Sequence, residues 1–239
     1  MVGGIIGSGR EVLRMARLQL NVEGEIVAVG IDRVINAGYS GRDEADVRAH
    51  IDELLKDDII AEEPDRVPAT YQLSTYALLA DPRRIQVVGE DTSGEAEYAL
   101  LVTGDETYVV AASDQTDRAI EKHGIQKSKQ IAPNVISADA WRLSAVRDHW
   151  DDIQLRAYNT VDGEREPYQD SSLAELLAPT DVLAEVEERY EGSLPGTAIL
   201  SGTVPTVGGE LAPGDRFEVE LHDPVRDRTV GVAYDIDPI

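Results

Sequence analysis

The 239 residues include 46 Asp plus Glu against 22 Lys plus Arg, a formal net charge of −24, and no cysteine. The missing cysteine excludes disulfides, Cys-ligated zinc, iron–sulfur clusters and a thiol nucleophile; the charge argues against nucleic acid or anionic lipid, whose binding needs Lys and Arg on phosphate. With 42% hydrophobic residues the chain can bury a sizeable core, and no apolar run is long enough to suggest a membrane span.

Residues 1–14, with Gly3, Gly4, Gly7 and Gly9, read as a flexible tail or a start-site extension. They lack the pattern of a signal peptide. The GGIIGSGR stretch has no Lys-Ser/Thr ending and no preceding strand, so it is not read as a phosphate loop. Leu18–Val22 and Glu25–Val29 alternate around Glu23-Gly24 and predict a hairpin. Ser40-Gly41-Arg42-Asp43 has the Ser-x-x-Asp form of a helix start, and Val47, Ile51, Leu54 and Leu55 supply the buried stripe of the helix expected after it. After a loop at Pro64 and Pro68, short strands are expected at Ala69–Leu73, Arg84–Val88, Glu97–Val102 and Thr107–Ala111. Asp114–Lys122 and Ala138–His149 read as helices. Asp162-Gly163 turns a hairpin between Ile153–Tyr158 and Glu164–Tyr168. Two short helices (Ser172–Leu177, Asp181–Tyr190) precede strands at Thr197–Leu200, Arg216–Leu221 and Thr229–Tyr234. The expectation is an α+β protein with a large, mostly antiparallel β core.

Acidic residues run through the whole length, and lysine occurs only at 56, 122, 127 and 129. A dispersed acidic surface with little lysine suits a cytoplasm of molar salt, where screening weakens self-repulsion. The expected location is therefore cytoplasmic, in a high-salt organism.

Glu95 and Glu97 lie two apart in a predicted strand and share a face, with Leu100 and Val102 on the other. Adjacent carboxylates repel unless a cation lies between them, although an exposed strand end in an acidic chain would look the same. Ser113-Asp114 and Arg118 follow the next apolar run. Three of the four lysines then cluster, and Lys129 precedes Ala132-Pro133. A compact ammonium there suits an anion or a developing enolate, or simply a solvated loop. Arg118 can equally pair with an acid at helix spacing.

The order of these motifs resembles the fumarylacetoacetate hydrolase superfamily. It is carried by Glu95-Ala96-Glu97, by Ser113-Asp114 with Arg118, by Ser128-Lys129-Gln130 before Pro133, and by Asp162-Gly163 with Gln169. Ser201-Gly202-Thr203-Val204-Pro205 with Gly208-Gly209, then Gly214-Asp215, complete the series. From Met15 onward the chain is also similar to a prokaryotic branch of that superfamily, through Gly41-Arg42-Asp43 and His50-Ile51-Asp52-Glu53-Leu54. The sequence departs from the family at Ser113 (usually Asn), Ala119 (usually an acid) and Thr206-Val207-Gly208-Gly209.

The resemblance implies a β-roll catalytic core over 81–239, preceded by strands and a lid-like helix over 15–80, in one compact domain. It implies one Mg²⁺ or Mn²⁺ per chain on Glu95, Glu97 and Asp114, with no organic cofactor. Three carboxylates plus waters do suit a hard octahedral ion with open positions. Lys129 would help hold enolate charge. Thr203 and the amides near Gly202 would contact a substrate carboxylate, and Arg118 matches the arginine that follows the family's Asp. His50, with Glu53 three residues on, matches the family's acid–base pair; a histidine at the edge of a core helix is the plainer alternative. The implied activity is on a small 2-oxo or 1,3-diketo carboxylate through a metal-bound enolate, most simply C–C hydrolysis. A dehydratase or decarboxylase on the same site, or a non-catalytic small-molecule binding domain, are the alternatives. A homodimer is implied by the resemblance alone.

Overall fold

The computed structural model describes residues 16–56, 60 and 62–239, so the expected tail over 1–14 lies outside the described residues. Glu23 and Gly24 have φ of 54° and 93°, the left-handed pair a two-residue hairpin turn requires. They join β1 (Ala16–Val22) to β2 (Glu25–Ile31), and β3 (Arg33–Gly38) follows at once. Helix α1 (Glu44–Lys56) is capped by Asp43, whose Oδ1 accepts from the amides of Ala45 and Asp46 at 2.8 and 3.2 Å. Ser40, the expected cap, is instead buried with its hydroxyl on the Ser201 carbonyl. Asp43 serves the first turn because that hydroxyl is already committed to the core.

Next come β4 (Ala69–Leu73), β5 (Leu78–Ala80), β6 (Arg84–Val87) and two long strands, β7 (Thr92–Val102) and β8 (Thr107–Asp117). Short helices α2 (Arg118–Glu121) and α3 (Ile125–Ile131) precede β9 (Asn134–Ile136) and β10 (Asp139–Arg142). The helix expected over 138–149 is thus a strand, then α4 (Leu143–Val146) and a 3₁₀ turn. Asp162-Gly163, again with positive φ, joins β11 (Gln154–Val161) to β12 (Glu164–Ser172). Helix α5 (Pro179–Arg189), β13 (Thr197–Leu200), β14 (Arg216–Asp223) and β15 (Arg228–Pro238) complete the chain.

Ten strands form one sheet, ordered β2-β1-β10-β8-β7-β13-β3-β4, with β9 on β8 and β5 on β9. Five form another, ordered β12-β11-β14-β15-β6. Both are mainly antiparallel, with parallel pairs such as β13–β3 and β15–β6. The main core lies between them: Tyr98, Leu100, Val109 and Ala111 of the large sheet meet Leu155, Phe217, Val219 and Tyr234 of the small one. A second core, with Leu20, Ile31, Val34, Ala99, Leu101, Val110 and Leu200, covers the other face of the large sheet. Strands β7 and β8 are therefore buried on both sides, which is why Tyr98–Val102 is an unbroken apolar run. No helix among the described residues is long and apolar enough to cross a membrane.

Candidate metal centre and active site

The alternation of β7 decides where its acids go. Ala99 and Leu101 face the second core, so Glu95 and Glu97 point to that side, at the end of the strand where the apolar residues stop. On β8, Val110 and Ala112 face the same side, and Asp114 continues their row. Register then places Asp114 directly opposite Glu95. The result is a carboxylate triad, Glu95, Glu97 and Asp114, whose oxygens lie within 4.8 Å of one another. Ser113 faces away and bonds the Tyr234 hydroxyl at 2.8 Å.

Two cations meet the triad. Lys129, buried on α3, donates to Asp114 Oδ2 and, at 3.2 Å, to Glu95 Oε2. Arg118 places Nη2 3.4 Å from Glu95 Oε1, Nη1 3.0 Å from Glu121 Oε2, and Nε 2.8 Å from Ser93 Oγ. Its pairing is thus with acids, one of them at helix spacing. Burial opposes charge on Glu95, yet Lys129 and Arg118 together hold its carboxyl down to about 2. For Glu97 burial and the neighbouring Asp114 charge win, and its carboxyl is pushed well up. Asp114 is also raised by burial, against the pull of Lys129.

The third wall is the Ser201–Thr203 segment. Gly202 donates its amide to Glu97 Oε2 at 2.9 Å, with φ +82°. A Cβ there would strike the Ser40 hydroxyl and lie 2.8 Å from the Ala37 carbonyl. Gly202→Ala is expected to combine a strained backbone (about 1–3 kcal/mol) with that clash. A lowered Tm together with weakened Mn²⁺ binding would show it. Thr203 Oγ1 donates to the Ala96 carbonyl and accepts from Gln169 Nε2, both at 2.7 Å. Gln169 Oε1 also takes the Ala96 amide at 2.8 Å, so this buried side chain fixes the backbone between Glu95 and Glu97.

The donor set fits a hard divalent cation. Three carboxylates converge, and Asp114 Oδ1 is buried with no hydrogen-bond partner. A buried, unpaired carboxylate oxygen is costly, and a cation would satisfy it.

Glu95, Glu97, Asp114, Lys129 and Arg118 are thus brought together, with Gly202 against Glu97 and Thr203 against Ala96. His50 and Glu53 are not: both are exposed on α1, and among the described residues neither side chain makes a hydrogen bond. Helix α1 packs Val47 and Ile51 toward Tyr39 and toward Ile125, one turn before Lys129. Sequence reasoning overlooked Asn36, which donates to Asp114 Oδ2 at 3.1 Å, and Glu121. Asn36 could have been noticed as a lone polar residue in the run Val34-Ile35-Asn36-Ala37. A cavity of about 540 Å³ also exists, lined by Arg42, Leu143, His149, Trp150 and Pro179 among others, but none of the triad lines it.

A family described as "Protein of unknown function (DUF2848)" matches residues 37–234, most of the chain and all three acids of the triad. The chain belongs to this family. No curated protein matches the sequence. The DUF2848 chain resembles solved structures. One is a fumarylpyruvate hydrolase from Pseudomonas aeruginosa in complex with Mn²⁺ and pyruvate, with TM-score 0.65, 13% identity and coverage of 94% of this chain and 97% of that one. Another is a 5-carboxymethyl-2-hydroxymuconate delta-isomerase from Mycobacterium smegmatis (TM-score 0.60, 16% identity, 87% and 80%). A 2-keto-3-deoxyarabinonate dehydratase is similar too (TM-score 0.63, 13% identity, 87% and 75%). This DUF2848 chain therefore shares its fold with these enzymes, in line with the fold that the sequence resemblance implied.

Proposed function

We propose that this protein is a divalent-metal-dependent enzyme acting on a small 2-oxo or 1,3-diketo carboxylate through an enolate, most simply by C–C hydrolysis. The observation that carries this is the buried triad with an unpartnered Asp114 oxygen beside the Lys129 ammonium. The Mn²⁺ and pyruvate in a hydrolase of similar fold support it, while the reaction rests on analogy.

In this reading Glu95, Glu97 and Asp114 hold one Mg²⁺ or Mn²⁺. When bound, the cation supplies Lewis-acid stabilisation of negative charge on a substrate oxygen. Lys129 presents its ammonium to the same charge. Arg118 holds Glu95 in place through its fork. Thr203 offers a backbone N–H to which no hydrogen bond is made among the described residues, a fitting contact for the substrate carboxylate. Gly202 spends its own amide on Glu97 and so positions a ligand.

Mn²⁺ titration with and without oxalate, a planar mimic of a 2-oxo acid enolate, tests the reading. One Mn²⁺ per chain, tightened by oxalate, supports it. Weak, multiple, oxalate-indifferent binding would leave only an acidic surface.

His50 and Glu53 are proposed to activate the hydrolytic water once α1 approaches the substrate. His50→Ala is expected to lower hydrolysis of a 1,3-diketo acid by about 100-fold or more while sparing decarboxylation of a 2-oxo diacid. Equal loss of both would remove the water-activating role, and a spared hydrolysis would favour the lyase reading.

A further inference from the structure

Asn36 is the one polar residue in the buried run Val34–Ala37 of β3. Val34, two residues earlier, belongs to the second core, so Asn36 points to the face of the large sheet that carries the triad. In the sheet order β3 stands three places from β8. Three strand spacings in a flat sheet are about 14 Å, yet the Asn36 amide reaches Asp114 Oδ2 at 3.1 Å. The contact is therefore made across the hollow of a strongly curled sheet. An asparagine there is unfavourable for stability, because its Oδ1 is buried with no hydrogen-bond partner among the described residues. A leucine, similar in shape, would sit beside Val34 and Leu200 without that penalty.

Asp114 gives the asparagine a use. Its Oδ2 takes two donors, the Lys129 ammonium and the Asn36 amide, and its Oδ1 takes none. The two donors are not equivalent. Lys129 also bonds Glu95, carries a charge that competes with a metal cation, and in the reading above presents that charge to the substrate. Asn36 is neutral, and its side chain makes no other hydrogen bond among the described residues. Its strand is held against the opposite wall of the site as well: the Ala37 carbonyl and the Ser40 hydroxyl crowd Gly202, whose amide bonds Glu97. Strand β3 and the residues after it thus reach two of the three acids.

We propose that Asn36 is a positioning residue of the metal centre, resting on the metal reading above. Its amide keeps Asp114 Oδ2 occupied and leaves Oδ1 free for the cation, and it does so when Lys129 turns from Asp114 to the substrate. The two donors share one oxygen but act oppositely on affinity. Lys129 competes with the cation, whereas Asn36 orders a ligand without adding charge. Second partners of this kind hold a ligand's orientation and so its affinity for metal.

Mn²⁺ titration calorimetry on Asn36→Leu tests this, in otherwise wild-type protein and together with Lys129→Met. The substitution removes the amide and the unpartnered oxygen at once. The metal-free Tm is expected to equal or exceed that of wild type, while Mn²⁺ affinity falls about 10-fold. In the Lys129→Met background Asn36 is the last donor on Oδ2, and its loss should weaken Mn²⁺ binding about 100-fold relative to Lys129→Met alone. Where Leu lowers the metal-free Tm, Asn36→Ser, too short to reach Asp114, decides by the same comparison of affinities. Affinities within about threefold of the parent in both backgrounds would overturn the proposal. Equal losses in the two backgrounds would overturn it too, since a distorted sheet weakens the site whether or not Lys129 is present. A wild type that binds no Mn²⁺ would instead overturn the metal reading itself, and the role of Asn36 with it.

Discussion

Glu97→Ala is expected to weaken Mn²⁺ binding by more than about 100-fold, since even residues that only support a metal's ligands are worth 10–100-fold. The oxalate effect should vanish with it. Glu97 sits at the centre of the site, with one oxygen on the Gly202 amide and its charge against Asp114. Isothermal titration in concentrated KCl would measure the loss, because screening suppresses weak binding to the acidic surface. An Ala variant that still binds one Mn²⁺ with wild-type affinity would remove Glu97 from the ligand set. The same titration has a pH signature. Glu97 and Asp114 both have raised carboxyls, so protons hold the site as pH falls and a cation must displace them. Wild-type affinity should rise from pH 5 to pH 8, and with it the increase in Tm that Mn²⁺ confers.

Lys129→Met should have the opposite effect on affinity and a large one on stability. The substitution keeps most of the side chain's bulk but removes the charge from a buried cluster. Asp114 and Glu95 then lose their shared ammonium, and breaking a buried ion pair from one side costs about 3–5 kcal/mol. Without a divalent cation the variant is expected to melt well below wild type. Mn²⁺ should restore more Tm in Lys129→Met than in wild type and bind it more tightly, because one competing cation is gone. Turnover should nevertheless fall by about 100- to 1,000-fold, the usual effect of losing a group that stabilises developing negative charge. Denaturation scans with and without Mn²⁺ would separate these effects. Unchanged stability in the metal-free variant would mean that Lys129 does not neutralise the triad.

The chemistry was more legible in the sequence than the elements that carry it. Glu95 and Glu97 could be paired from two-residue spacing, because a strand buried on both faces leaves its polar end conspicuous. Asp114 was identified, but as part of a helix over 114–122; in fact β8 continues to Asp117, and this extra length is what sets Asp114 opposite Glu95. Lys129 is legible as a cation for enolate charge, with a solvated loop as the plainer alternative; the structure removes that alternative, because α3 holds it buried. Its helix is only seven residues long, too short for a clear periodicity. Strand β3 was missed for a related reason: Val34-Ile35-Asn36-Ala37 is fully buried and shows no alternation. The contribution of Asn36 to Asp114 therefore could not be seen before the sheet order was known. The 138–149 segment has apolar residues at helical spacing, but Ala140 and Trp141 are drawn into a strand beside β8 and β1. Glu121 was hidden by the spread of acids along the chain; its ion pair with Arg118, beside Glu95, is what singles it out.

The three acids belong to a single hairpin. Strands β7 and β8, each eleven residues long, are joined by a tight turn in which the Thr103 hydroxyl accepts from the Glu106 amide at 3.0 Å. Closing so short a segment carries little loop entropy, and such hairpins zip within microseconds. Glu95, Glu97 and Asp114 therefore meet as soon as this local pairing forms, before α3 docks the Lys129 ammonium from further along the chain. Their mutual repulsion falls on an early stage of folding, when the compensating charge is not yet in place. The feature that defines the centre in the native protein is thus expected to slow its assembly, and refolding should be faster at a pH where these carboxyls are protonated in the unfolded chain.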